Sequence, residues 1–177
     1  SSDAASTLLA LNTLWRTHCD IATLQKVGLL LGADVPVFIR GRTAWAEGIG
    51  ERLETVDIPS SWYAVVYPNC AVSTAKIFND AELTRNSPPI TIRAFRAQGA
   101  GNVCQAVVEK QYPEVQAARL WLAQYAPAQL TGTGSCVFAA LESREQADSI
   151  LADLPQDWRG FVAQGINQSP VYRELGV

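Results

Sequence analysis

Apolar residues Leu8, Leu11, Leu14 and Trp15 recur at three- and four-residue spacing, which predicts an amphipathic helix over residues 2–15. Ser2 or Asp3 is placed to cap it. A second helix is predicted over Ile21 to Leu31, with Asp20 as N-cap and Gly32 as its stop. The pattern then shortens. Val35 to Ile39 is β-branched and reads as a strand, as do 43–46 and 52–56, which Gly48 and Gly50 separate. The run 62–68 is the clearest buried strand, and Ser73 is placed to cap a short helix through Phe78. Residues 79–89, polar and ending on Pro88-Pro89, predict a loop. Two helices follow, near 101–111 and 114–125, with Pro113 and Pro127 as punctuation. A glycine-bearing loop from Leu130 to Gly134 feeds a strand at 136–140. A helix over 143–154 and a strand at 161–163 complete the order. Helices, then strands, then helices again define an α+β fold, with helices on one side of a mostly antiparallel sheet.

Composition narrows the class. The chain of 177 residues is 48% hydrophobic and 18% charged, enough apolar material for a real core. Its net charge is −3, and its basic residues are scattered rather than striped, which argues against nucleic acid as a partner. No run of apolar residues is long enough for a membrane span, and the opening Ser-Ser-Asp is not a signal peptide. Cys19, Cys70, Cys104 and Cys136 lack CxxC spacing, and His18 is the one histidine, so a zinc site is not expected. Widely spaced cysteines in an acidic chain read as reduced thiols of a cytoplasmic protein.

Three stretches could carry chemistry. Ser1-Ser2-Asp3-Ala4-Ala5-Ser6 opens a helix, where free N–H groups and the positive dipole end favour an anion and hydroxyls can ligate Mg2+. Taken alone, the stretch is more commonly an ordinary helix cap. Leu31-Gly32-Ala33-Asp34-Val35-Pro36 sets a carboxylate at a helix-to-strand junction, as a turn former or as a partly buried group that holds a reacting hydroxyl. Leu130-Thr131-Gly132-Thr133-Gly134-Ser135-Cys136 interleaves glycines with hydroxyls ahead of a strand; it is an anion nest or a plain connector.

In their order and flanks the three stretches resemble the GHMP family of small-molecule kinases. The likeness continues through Ala46-Glu47-Gly48-Ile49-Gly50-Glu51 and Gly160-Phe161-Val162-Ala163, and so spans the whole chain. The resemblance implies a kinase that moves the γ-phosphate of ATP, with Mg2+, to an alcohol. The Leu-Gly-Ala-Asp-Val-Pro stretch points to the branch that acts on a cytidylyl polyol in isoprenoid (terpenoid) precursor biosynthesis. It implies Asp34 as catalytic aspartate, orienting the hydroxyl and accepting its proton late. Ser1, Ser2 and Asp3 would close the phosphate loop, with Ser1 and Ser2 as possible Mg2+ ligands. Thr74 and Phe78 would meet the cytidine end, and Gly132, Thr133, Gly134 and Ser135 the substrate diphosphate. Residues 1–46 would then be the remainder of the ATP-binding domain, and 47–177 the C-terminal domain. The family's loop glycines and its lysine would stand ahead of Ser1, so this piece alone is expected to be inactive. A monomer or weak homodimer is expected. The alternatives are another GHMP kinase, acting on mevalonate, homoserine or a sugar, or a non-catalytic ligand-binding module.

Overall fold

The computed structural model describes residues 1–175, with the side chains of 96–98 left aside. Packing divides the chain into two compact units: Ser1–Ser60 with the stretch from Ile166, and Ser61–Gly165. The boundary expected at 46/47 falls inside a hairpin of the first unit, at the end of its first strand.

The first unit packs α1 (Ser2–Leu14), α2 (Ile21–Leu31) and α3 (Val35–Arg40) around Ala5, Leu9, Leu24, Val35 and Ile39. The Asp20 carboxylate accepts the Thr23 N–H at 2.7 Å, and α2 ends against Gly32, both as the sequence indicates. Ser1, rather than Ser2 or Asp3, is the N-cap of α1, and its hydroxyl makes no capping bond.

Val35–Arg40 is a helix, not the expected strand. Pro36 lies in its first turn, where a fixed φ and a missing N–H cost nothing, and Gly41, at φ +64°, ends it in the left-handed region. Val35, Pro36 and Ile39 all face inward at helical spacing. Burial of that face outweighs the β preference of the branched residues. Gly28 is where α2 meets α3, since a Cβ there would stand 2.5 Å from Ile39 Cδ1 and 2.8 Å from Val35 Cγ1.

β1 (Ala44–Glu47) and β2 (Arg52–Thr55) form the antiparallel hairpin, Ala44 opposite Thr55 and Glu47 opposite Arg52. The returning chain is stitched to this unit by Asn167, which accepts the Ile58 N–H and donates to the Ile58 carbonyl. Its α9 (Pro170–Leu175) adds Val171, Tyr172 and Leu175 to the core, and the Tyr172 hydroxyl donates to the Ile39 carbonyl.

The second unit is built on an antiparallel sheet of order β4-β5-β3-β6: β3 (Trp62–Tyr67), β4 (Ala128–Leu130), β5 (Val137–Leu141) and β6 (Arg159–Gln164). Ala64 pairs with Ala139 and Val66 with Val137, so the buried residues of β3 and β5 share one face. That face joins Val107, Val108, Val115, Ala118, Leu122, Ala147 and Ile150 in one core. These come from α6 (Gln105–Gln111), α7 (Pro113–Leu122) and α8 (Arg144–Ala152). The α+β class with antiparallel strands is as expected. Ser73 caps α4 (Thr74–Phe78) by accepting the Lys76 N–H.

Three elements go beyond the sequence expectation. α5 (Ile92–Gln98) starts just past Pro88-Pro89, capped by Thr91, which accepts the Ala94 N–H at 3.2 Å. β4 spans three residues, too few for an alternating pattern to show. α9 follows Ser169, whose hydroxyl accepts the Val171 N–H.

Candidate functional site

In the first unit the candidates gather on one core. Ser1, Ser2 and Asp3 are exposed at the start of α1. The first intrahelical bond runs from the Ala5 N–H to the Ser1 carbonyl, so the N–H groups of Ser2, Asp3 and Ala4 open the helix without intrahelical partners. Ala5, one turn on, shares its buried cluster with Val35, the residue after Asp34.

Asp34 is the N-cap of α3 and sits at a helix-to-helix junction, not at a helix-to-strand one. It is exposed rather than partly buried, and its side chain makes no capping bond. A carboxylate that directly precedes buried Val35 and, among the described residues, is left unspent at its oxygens is suited to meet a ligand. The Gly48–Gly50 turn lies against the same junction: a Cβ on Gly50, at φ +108°, would stand 2.7 Å from the Ala33 carbonyl oxygen. Glu51 ties this turn by accepting the Ile49 N–H at 2.7 Å. Hydrogen bonds from its own N–H and then from Ile49 hold its carboxyl below the usual range.

In the second unit two separate motifs meet. The Thr74 and Thr133 hydroxyls lie 2.8 Å apart, joining the start of α4 to the glycine-bearing loop. Phe78, at the other end of α4, is 55% exposed, so its ring is not spent on the core. Gly132 and Gly134 have φ of +56° and +88°, conformations open to glycine and strained for other residues. Ser135 is buried, and its hydroxyl donates to the Cys70 carbonyl at 2.6 Å, which makes it a support of the loop floor.

Residues outside the predicted motifs support this loop. Asn102 donates to the Leu130 and Gly132 carbonyls at 3.0 and 2.6 Å, and Gln105 accepts the Leu130 N–H. Arg85 donates to the Phe78, Asp80 and Leu83 carbonyls and so ties the chain that follows α4. An Asn three residues ahead of a helix is a recognisable turn former, but nothing in its spacing reports which carbonyls it reaches.

Among the described residues no group of three or more His, Cys, Asp or Glu is arranged to hold a metal ion, and no helix is long and apolar enough to cross a membrane. All four cysteines are free.

Residues 83–160 match the model of the GHMP kinases' C-terminal domain. A solved structure titled crystal structure of 4-(cytidine 5'-diphospho)-2C-methyl-D-erythritol kinase superposes with a TM-score of 0.75 at 26% identity, over 92% of this chain and 63% of that one. Residues 83–160 therefore carry the C-terminal domain of the GHMP kinases. Within that class, its curated relatives are named 4-diphosphocytidyl-2-C-methyl-D-erythritol kinase. Those of Shewanella putrefaciens and Pseudomonas aeruginosa are each 52% identical over 99% of this chain, and that of Hahella chejuensis is 50% identical over 99%. The chain spans about three fifths of the length of these relatives, 60–62%.

Proposed function

We propose that the protein to which this chain belongs phosphorylates the 2-hydroxyl of 4-diphosphocytidyl-2-C-methyl-D-erythritol with ATP, a step in isoprenoid precursor biosynthesis. The observation that carries this reading is the 52% identity, over 99% of this chain, to kinases named for that substrate. The first unit is then the remaining part of the ATP-binding domain, and the second holds the substrate's cytidylyl diphosphate.

Phosphoryl transfer asks for placement and charge neutralisation more than for covalent chemistry. Asp34 orients the acceptor hydroxyl and takes its proton late. Its exposed oxygens, free of any capping bond, fit that role. The opening turn of α1 presents N–H donors and the positive dipole end to phosphate oxygens. The Ser1 hydroxyl, which caps nothing, and the neighbouring Ser2 hydroxyl would hold Mg2+. When bound, that ion supplies charge neutralisation on the phosphates. Phe78 offers a ring face for the cytosine, while Thr74, Gly132, Thr133, Gly134 and Ser135 hold or support the diphosphate.

The test is turnover by the full-length protein. ATP with the cytidylyl substrate should give the 2-phosphate, and Asp34→Asn should lower kcat by about 10²- to 10⁴-fold, the usual weight of a positioned acid–base group. Activity on homoserine, mevalonate or a sugar with none on the cytidylyl substrate would overturn the substrate assignment. An unchanged kcat in D34N would remove Asp34 from the chemistry.

A further inference from the structure

The loop that carries Thr133 is a tight turn whose central peptide is held from outside. The Gly134 N–H donates to the Thr131 carbonyl at 2.9 Å, which closes a four-residue turn. Gly132, first of the two central residues, has φ +56°, while Thr133, the second, is not in the positive region. That sign pattern is the type II′ turn. Its type I′ counterpart differs by rotation of the central peptide, here Gly132–Thr133, and would force a β-branched residue to positive φ.

Asn102 holds the same peptide in the same sense. Its amide donates to the Gly132 carbonyl at 2.6 Å and to the Leu130 carbonyl at 3.0 Å, across 30 and 28 residues of chain. Its oxygen accepts the Cys104 N–H at 2.9 Å. Two carbonyls on one side and an N–H on the other are satisfied by a single orientation of the amide. In a trans peptide the carbonyl and the following N–H point opposite ways. With the Gly132 carbonyl drawn to Asn102, the Thr133 N–H points away from it, and among the described residues that N–H has no protein acceptor. The Thr133 hydroxyl meanwhile meets Thr74.

We propose that Asn102 is a positioning residue for the substrate: it locks the Gly132–Thr133 peptide so that the Thr133 N–H is a fixed donor to a diphosphate oxygen. This rests on the substrate reading above. Asn102 does not touch the substrate; it sets which way the peptide that does so faces. Gly132 leaves its own side of this peptide free to turn, so the orientation rests on Thr133, which resists positive φ, and on the Asn102 bonds, which act in the same sense.

Asn102→Asp is the test. It is isosteric and keeps the acceptor for Cys104, but sets a carboxylate against the Gly132 and Leu130 carbonyls. The full-length enzyme is measured by calorimetry with CDP as probe and by steady-state kinetics with the cytidylyl substrate and ATP. We expect Kd for CDP and KM for the cytidylyl substrate to rise about three- to tenfold, the net worth of one hydrogen bond. The ATP KM should hold, and kcat should change less than the substrate KM. An N102D protein that folds and binds CDP like wild type overturns the proposal. So does one that only melts earlier and loses kcat with KM unmoved, since a purely structural residue behaves that way. Should N102D not fold, N102S decides, because serine replaces the two amide donors by a single hydroxyl on a shorter side chain, too few to hold both carbonyls, and retains an acceptor for Cys104. Wild-type enzyme that neither binds CDP nor turns over the cytidylyl substrate refutes the substrate reading itself, an outcome distinct from wild-type binding matched by the variant.

Discussion

Replacing Gly28 by Ala sets two opposed effects against each other. Gly28 lies inside α2, where glycine is about 1 kcal/mol less favourable than alanine, so the intrinsic term favours the substitution. The packing term opposes it. The new methyl would stand 2.5 Å from Ile39 Cδ1 and 2.8 Å from Val35 Cγ1, both well inside van der Waals contact. Ile39 could rotate its terminal methyl only within a fully buried site, and Val35, branched at Cβ and 1% exposed, has one strongly preferred rotamer in a helix. Overpacking costs about 1–3 kcal/mol, and two clashes under 3 Å against groups that cannot yield set this site in the upper part of that range, about 2–3 kcal/mol. The packing term wins, leaving a net loss of about 1–2 kcal/mol. For a chain of this size that lowers Tm by roughly 2–8 °C. Relief comes by moving α3, and α3 begins directly after Asp34, so kcat should fall alongside Tm. The assay pairs thermal unfolding of the full-length protein with turnover at a temperature where both forms are folded. A G28A protein with raised Tm would mean that α3 yields at no cost, and the account of the α2–α3 contact would be wrong.

Three further outcomes follow from single contacts. Tyr172→Phe removes the hydroxyl that donates to the Ile39 carbonyl and should cost about 1 kcal/mol in urea unfolding. Burial, only partly offset by Arg40, raises the Tyr172 pKa above its ordinary value of 10.0. The stability it supplies is therefore complete below pH 10 and lost as pH rises through the folded value; Y172F should lack that alkaline loss, and an identical alkaline limb in both proteins would refute the link. Glu109→Ala leaves Arg119 unpaired between α6 and α7, where it is held in a two-pronged, largely buried pair, and should cost about 3 kcal/mol; a loss below 0.5 kcal/mol, the scale of an exposed pair, would contradict this. Among the cysteines, exposed Cys19 should react first with a thiol reagent in native protein, while Cys70, Cys104 and Cys136, whose thiols burial pushes up in pKa, should react slowly until unfolding; equal rates at all four would refute it.

What was legible in the chain had a local cause. The Asp20 cap, the Gly32 stop, the Ser73 cap and the strand β3 each depend on a few adjacent residues, and each stands where the sequence put it. The Val35–Ile39 segment was misread because its composition votes for a strand, while its fate is decided by α1 and α2, which bury Val35, Pro36 and Ile39 on one helical face. That correction bears on the chemistry. A strand would hold Asp34 at the end of a hydrogen-bonded ladder, whereas here it caps a short helix and offers its carboxylate unspent. The loop at Gly132 shows the complementary limit. Its glycines announce a turn, and Thr133 disfavours one of the two primed types, so half of the turn's conformation was implicit in the motif. The other half comes from Asn102, thirty residues earlier, and from Thr74, fifty-nine residues away. No periodicity connects those positions, because the bonds that join them exist only once α6 and α4 have packed on the sheet. A motif read from such a chain therefore names the groups that face a ligand more readily than the groups that aim them.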